Sequence, residues 1–207
     1  MRTLTLTWHG HSCFSAEADS FHVVFDPYSP DSVPGLKPLS LTADLVLSSH
    51  EHRDHQCPEA VSLSGKEADC PFQIETIDSF HDDAGGSLRG TNRIHILTAG
   101  GLRLAHMGDI GCTLESAQLE RLKDLDVLLL PVGGYYTIDA SQAKALEGIL
   151  RPRVTIPMHY RTANFGYPVI STLDAYTQLC DDVVIYDTNV LTIDKQTKPQ
   201  TAILTLS

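Results

Sequence analysis

Leu45-Val46-Leu47-Ser48-Ser49-His50-Glu51-His52-Arg53-Asp54-His55 is the stretch on which the reading of this chain turns. It opens on an apolar run of strand type, and a strand holds its end rigidly. The six residues from His50 to His55 then supply three imidazoles and the Asp54 carboxylate. Nitrogen and oxygen donors of this kind suit zinc, manganese or iron. A loop that follows a strand can fold several of them around one point. A chain with ten histidines will sometimes cluster three by chance, so the other segments have to decide.

Three of them repeat the pattern of an apolar run that ends in a metal-competent side chain: IETIDSF before His81, LRLAHMG before Asp109 and VTIPM before His159. Open α/β sheets gather such positions, because ligands bind beyond the carboxyl ends of their strands. The candidate ligands are therefore His50, His52, Asp54, His55, His81, Asp109 and His159. A mononuclear catalytic zinc takes about three protein ligands and keeps one position open. Seven candidates suit two divalent ions, Zn or Mn, with one carboxylate shared between them. Spacing alone does not say which residue bridges.

The remaining periodicities fix the class. Strand-like runs fall at 4–8, 22–26, 45–48, 73–79, 93–98, 102–106, 127–131, 154–157, 183–186 and 201–206. Helical spacing appears at 116–125, at 140–150 behind an Asp139 cap, and at 172–180. Early strands followed by strands alternating with helices predict an α/β layer protein. The Pro-, Ser- and Gly-rich segment 27–41 reads as a loop. No linker or repeat divides the chain, and 207 residues suit one domain over 1–207 with a buried core.

Composition narrows the partners. A net charge of -11 and a pI near 5.2, without a Lys/Arg cluster, argue against nucleic acid. Mean hydropathy is -0.07, and no run approaches the roughly 20 apolar residues of a membrane span. The first residues carry no apolar core of signal-peptide length. The five cysteines (Cys13, Cys57, Cys70, Cys112 and Cys180) are scattered without a CxxC pair and read as reduced thiols. A cytoplasmic protein acting on a small molecule, including an anionic one, is expected. A homo-oligomer is left open.

The residues so far quoted carry a resemblance. His50-X-His52-X-Asp54-His55, the upstream Asp26-Pro27, His81, Gly108-Asp109 and His159 resemble the ordered motifs of the metallo-β-lactamase superfamily. Trp8-His9-Gly10-His11-Ser12, Phe25-Asp26-Pro27, Leu130-Pro131-Val132-Gly133-Gly134 and Ile156-Pro157-Met158-His159-Tyr160 are similar to flanking signatures of its L-ascorbate-6-phosphate lactonase-like branch. The resemblance implies the four-layer αβ/βα fold, two mixed β-sheets sandwiched between helices. It implies one metal on His50, His52 and His81, a second on Asp54, His55 and His159, and Asp109 bridging. Asp26 is implied to orient the ligand loop by hydrogen bonds rather than to bind metal.

The expected activity is that of a dinuclear metal-dependent hydrolase. Two divalent cations lower the pKa of a shared water from about 15.7 to roughly neutral, giving a bridging hydroxide that attacks a small ester, lactone or phosphodiester. Asp54 would steer the nucleophile while ligating, and His11 would carry a proton. Tyr160, Tyr135 and Tyr136 have phenols placed to donate to an oxyanion, unless they only pack at strand ends. Arg89 would meet a substrate phosphate or carboxylate, unless it lies on the surface. His106 is expected behind the ligands, Cys57 beside them as a bystander, and His9, His22 and His95 in structural roles. Specificity is expected from loops such as 27–41 and 85–91. A di-iron redox enzyme of the same fold would have a carboxylate in place of His52. A non-catalytic scaffold would have lost ligands, and none of the seven is missing.

Overall fold

The computed structural model describes residues 3–65 and 69–206. Its strands are β1 (Leu4–Gly10), β2 (Cys13–Ala18), β3 (Phe21–Phe25), β4 (Leu41–Ala43), β5 (Leu45–Leu47), β6 (Val61–Leu63) and β7 (Gln73–Phe80), followed by β8 (Thr91–Ala99), β9 (Leu102–His106), β10 (Val127–Pro131), β11 (Val154–Met158), β12 (Val183–Ile185), β13 (Val190–Ile193) and β14 (Gln200–Ile203). The helices are α1 (Ser116–Arg121), α2 (Ala140–Leu150) and α3 (Asp174–Thr177). A mixed sheet in the order β13-β1-β2-β3-β5 faces a second mixed sheet in the order β12-β14-β11-β10-β9-β8-β7, while β4 and β6 form a parallel pair. This is the α/β metallo-β-lactamase fold expected from the sequence.

Alternation along the strands explains the layering. In β3, Val23 and Phe25 join the main core between the sheets, where they meet Ile94, Ile96, Leu104 and Leu129. Val24 points the other way, into a second cluster with Cys13, Tyr28, Val33, Ala43 and Val61. The loop 27–41 and the β4–β6 pair thus cover the outer face of the five-stranded sheet. The strands β10 and β11 are buried at every position, as expected of parallel strands covered on both faces.

The helix α2 has the bounds that spacing predicts, and the Asp139 cap is real. An Asp139 carboxylate oxygen accepts the Gln142 N–H at 2.8 Å, while the Gln142 side-chain oxygen accepts the Asp139 N–H at 2.9 Å, a reciprocal capping box. The other two helices are shorter than expected. At the end of α1, Leu122 leaves helical geometry and Asp124 takes a left-handed φ of 56°. Around α3, hydrogen bonds such as Leu179 N–H to the Tyr176 carbonyl are of the tighter i→i+3 type. The strand β2 lies outside the runs expected from the sequence, because Cys-Phe-Ser-Ala-Glu-Ala has little strand propensity of its own. Pairing with β1 and β3 holds it instead.

This topology brings the functional loops together. β3 and β5 run parallel in one sheet, and β9, β10 and β11 run parallel in the other. β7 points the same way as β9, because β8 is antiparallel to both. Asp26, His50–His55, His81, Asp109 and His159 follow the carboxyl ends of β3, β5, β7, β9 and β11. They collect at one edge of the molecule with His11, which sits in the β1–β2 turn.

Candidate metal centre

Three of the histidine rings at this edge, His50, His55 and His81, are aimed before any ligand arrives. Asp26, fully buried with φ 45°, organises the loop after β5. One carboxylate oxygen accepts the Ser49 N–H at 2.7 Å; the other accepts the Ser49 hydroxyl at 2.6 Å and the His55 Nδ1–H at 2.7 Å. Since the Ser49 hydroxyl proton is given to Asp26, Ser49 Oγ accepts the His50 Nδ1–H at 2.9 Å. The His81 Nδ1–H donates to the Tyr136 carbonyl at 3.0 Å. Fixing each Nδ1 this way fixes the tautomer and turns the Nε2 lone pair inward.

Asp109 is positioned by backbone rather than by its own side chain. Its N–H donates to Asn92 Oδ1 at 2.9 Å, and Asn92 donates in turn to Ser79 Oγ and to the Met107 carbonyl. His106 accepts the Gly108 N–H on Nδ1 and donates Nε2–H to the Ser12 carbonyl at 2.8 Å. It therefore ties the Asp109 loop to the His11 turn, behind the ligands as expected. Gly108 has φ +56°, and a Cβ there would meet Asn92 Oδ1 at 2.2 Å and Ser49 Cβ at 2.5 Å. Only glycine allows that approach.

Donor atoms then fall into groups able to hold metal: His50, His52 and His81; His11, Asp54, His55 and His159; and His50, His55 and Asp109, each within 4.8 Å. Asp109 Oδ2 lies 3.0 Å from His159 Nε2, 3.1 Å from His55 Nε2 and 3.3 Å from His81 Nε2. Buried Nε2 atoms of His50, His55 and His159, and Asp109 Oδ1, have no hydrogen-bond partner. Buried polar atoms are rarely left so. An N/O donor set with converging orphaned lone pairs fits divalent zinc or manganese.

Charges follow from the same packing. Burial would raise the Asp109 carboxyl, but His159 and His55 outweigh it and hold it well below the usual carboxylate range. Burial lowers His55, yet Asp109, Asp54 and Asp26 together push it up. Burial, then His55, depresses His50 to about 3. Burial, then His159, depresses His11 to about 4. His11 is thus neutral near pH 7, its Nε2–H directed at Asp54 Oδ2 at 3.3 Å and its buried Nδ1 unpartnered.

The pocket at this centre has a volume of about 260 Å³ and is lined by His52, Asp54, His81, Asp109 and His159 together with Arg89, Tyr136 and Tyr167. Tyr160 is not among them, which corrects the expectation of its phenol near the reacting atoms. His159 takes a left-handed φ of 53°, and the chain turns there. Tyr160 goes instead into a separate cavity of about 760 Å³, with its ring centre 5.7 Å from that of Trp8. Tyr135 is 64% exposed and also stands outside the pocket. Tyr167, from an irregular loop that offered no sequence signal, takes that place. Its hydroxyl lies 2.7 Å from the Ser32 carbonyl and 3.2 Å from Asp54 Oδ2. Ser49 and Asn92 also escaped the sequence reading.

Of the other histidines, His9 bonds Ser15 Oγ, His22 pairs with Glu17, and His95 caps the Ser48 carbonyl at the end of β5. Cys57 joins none of the donor groups among the described residues. Residues 35–41 line the larger cavity, so of the two expected specificity loops only the second, through Arg89, reaches the metal-competent pocket.

Comparison with known proteins agrees with this geometry. The model of the beta-lactamase superfamily domain matches residues 5–159. A UPF0173 metal-dependent hydrolase of Thermoplasma acidophilum is 30% identical, covering 78% of this chain and 85% of the relative. This chain belongs to the UPF0173 metal-dependent hydrolases of the beta-lactamase superfamily. A UPF0173 relative in Archaeoglobus fulgidus is 31% identical over 77% of this chain and 84% of its own. A crystal structure from Thermotoga maritima, assigned as a Zn-dependent hydrolase of the metallo-beta-lactamase superfamily, superposes with a TM-score of 0.78 at 31% identity. It covers 97% of this chain and 98% of its own. As a UPF0173 protein, the chain is a metal-dependent hydrolase with a His/Asp cluster able to bind metal.

Proposed function

We propose that the protein is a dinuclear hydrolase that cleaves a small ester, lactone or phosphodiester. The observation that carries this reading is the convergence on Asp109, whose Oδ2 stands within 3.3 Å of Nε2 atoms from both donor groups. It supports Asp109 as the shared ligand, with His50, His52 and His81 on one ion and Asp54, His55 and His159 on the other. Two divalent cations so held, zinc or manganese, would supply Lewis acidity to the attacked oxygen and acidify water by several pK units.

The chain's own groups do the rest. Burial raises the Asp54 carboxyl less than His55 and the His11 bond lower it, so Asp54 stays ionised and acts as an oriented acceptor. The His11 Nε2–H is committed to that carboxylate, which leaves its bare Nδ1 as a place to receive a proton. Burial, then Asp54, pushes the Tyr167 phenol up, so it remains a donor at neutral pH. Its one proton goes to the Ser32 carbonyl at 2.7 Å or to Asp54 Oδ2 at 3.2 Å, so Tyr167 orients Asp54 and reaches a substrate oxygen only by leaving those partners.

The net charge of -11 favours a small substrate over nucleic acid. Among the described residues no helix is long and apolar enough to cross a membrane. Five free cysteines favour a cytoplasmic setting. Val184 and Ile185, exposed on the edge strand β12, favour self-association. The flanking sequences similar to the lactonase-like branch make a lactone the first substrate to try.

Elemental analysis of the purified protein, followed by lactone, ester and phosphodiester hydrolysis, tests the reading. About two zinc or manganese ions per chain with turnover in one class are expected. A single ion per chain at saturation refutes the dinuclear assignment, and two irons without hydrolysis refute the chemistry.

A further inference from the structure

One charged group in the wall of the small pocket has no task in hydrolysis. The other ionisable groups there are the donors His52, Asp54, His81, Asp109 and His159 and the two phenols. Arg89 is the exception, its guanidinium carbon 5.7 Å from the centre of the Tyr136 ring. Four other arginines are engaged: Arg103 and Arg121 meet Glu75, Arg153 meets Asp126, and Arg161 donates to the Ile170 carbonyl; Arg89 is the arginine that lines the metal-competent pocket. Among the described residues Arg89 has no such carboxylate or carbonyl partner, in a chain with 26 acidic residues.

The loop that carries Arg89 is held rigid. Asp82 is 2% exposed, and its carboxylate accepts four backbone N–H groups. Ala84 and Gly86 donate to one oxygen at 2.9 and 2.8 Å; Leu88 and Arg89 donate to the other at 3.0 and 2.7 Å. Gly86 has φ +82°, and a Cβ there would come within 2.9 Å of the Gly90 carbonyl oxygen. The backbone of Arg89 is therefore placed in advance. Tyr136 holds both ends of the arrangement, since its ring lies beneath the guanidinium and its carbonyl fixes His81. A planar fork of donors in the wall of a pocket that also holds the metal-competent groups matches a carboxylate or phosphate.

We propose that Arg89 determines specificity by binding an anionic group, carboxylate or phosphate, that the substrate carries apart from the bond to be cleaved. This rests on the hydrolytic reading of the same pocket. The volume of about 260 Å³ limits the substrate to a small molecule, below the usual range of about 300–1,000 Å³ for ligand pockets.

The test is calorimetric titration of the zinc- or manganese-loaded protein with methylphosphonate, which has one anionic end. Phosphonoacetate, 3-phosphonopropionate and 4-phosphonobutyrate, which have two ends at increasing separation, are titrated alongside. At least one two-ended probe should bind wild type about tenfold tighter than methylphosphonate. Arg89→Ala should erase that ratio and Arg89→Lys restore it only in part. If Arg89→Ala loses no more affinity for any two-ended probe than for methylphosphonate, the proposal is overturned.

A kinetic arm separates the two readings. Arg89→Ala should lower about tenfold the preference in kcat/KM for 4-nitrophenyl hemisuccinate over 4-nitrophenyl acetate. An unchanged preference in active enzyme overturns the role of Arg89 and leaves the hydrolase standing. Arg89-dependent binding of the probes, without turnover of any ester, lactone or phosphodiester, does the reverse. Failure to take up either metal overturns both.

Discussion

Replacing Asp26 by asparagine changes neither size nor shape, yet it should disable the site from behind. Oδ2 of Asp26 receives two protons, from Ser49 Oγ at 2.6 Å and His55 Nδ1 at 2.7 Å, while Oδ1 receives the Ser49 N–H at 2.7 Å. An amide has only one oxygen. If that oxygen keeps the Ser49 N–H, the NH2 group faces two donors. His55 escapes the clash by moving its proton to Nε2, the nitrogen that should face a metal. If the amide is reversed, the buried Ser49 N–H is orphaned instead. Each charge-assisted bond is worth about 1.5–3 kcal/mol, so the metal-free protein should lose about 3 kcal/mol. Metal affinity should fall about 10–100-fold, as for other outer-shell partners.

Urea unfolding in chelator gives the first quantity, and competition with a chromophoric chelator gives the second. Asp126→Asn is the control. Asp126 lies at the opposite edge, just before β10, and binds Arg153, Lys195 and the Arg103 N–H. It should cost stability and spare metal affinity. Metal affinity within twofold of wild type in Asp26→Asn refutes the tautomer argument.

Gly108→Ala should cost about 1–2 kcal/mol for its left-handed φ and about 1–3 more for overpacking; an unchanged urea midpoint refutes that close approach. Asp109→Asn should stay folded, lose one of two metals and most turnover; full metal content by elemental analysis removes it as the shared ligand. His11→Ala should keep both metals and lose about 10²–10⁴-fold in kcat; full activity makes it structural.

The ligands were legible in the sequence for a physical reason. Each is fixed by its distance from the end of an apolar strand, and that distance is written locally. The supports were not legible. Asn92 reaches Asp109 from 17 residues away, and Ser49 acts only because Asp26, 23 residues upstream, accepts its proton. Neither contact leaves a local pattern. Tyr160 misled because it follows His159 directly, whereas the left-handed turn at His159 sends the next side chain to the other cavity. Tyr167 comes from a stretch without period, so tertiary packing alone selects it. The strand β2 is hidden for a related reason: its neighbours pair it, and its own residues barely ask for it.

The Asp126 cluster has a consequence for how the molecule opens. Lys195, just past β13, bonds Asp126 at 3.1 Å, and Arg153 spans from Asp126 to the Asp194 carbonyl. These bonds clasp the two sheets at their far edge, while the histidine loops of both sheets meet at the near one. The protein therefore resembles a book fastened on both margins, by ion pairs on one and by metal on the other. Salt should loosen the first margin and a chelator the second, so hydrogen exchange should see the same core exposed from opposite sides.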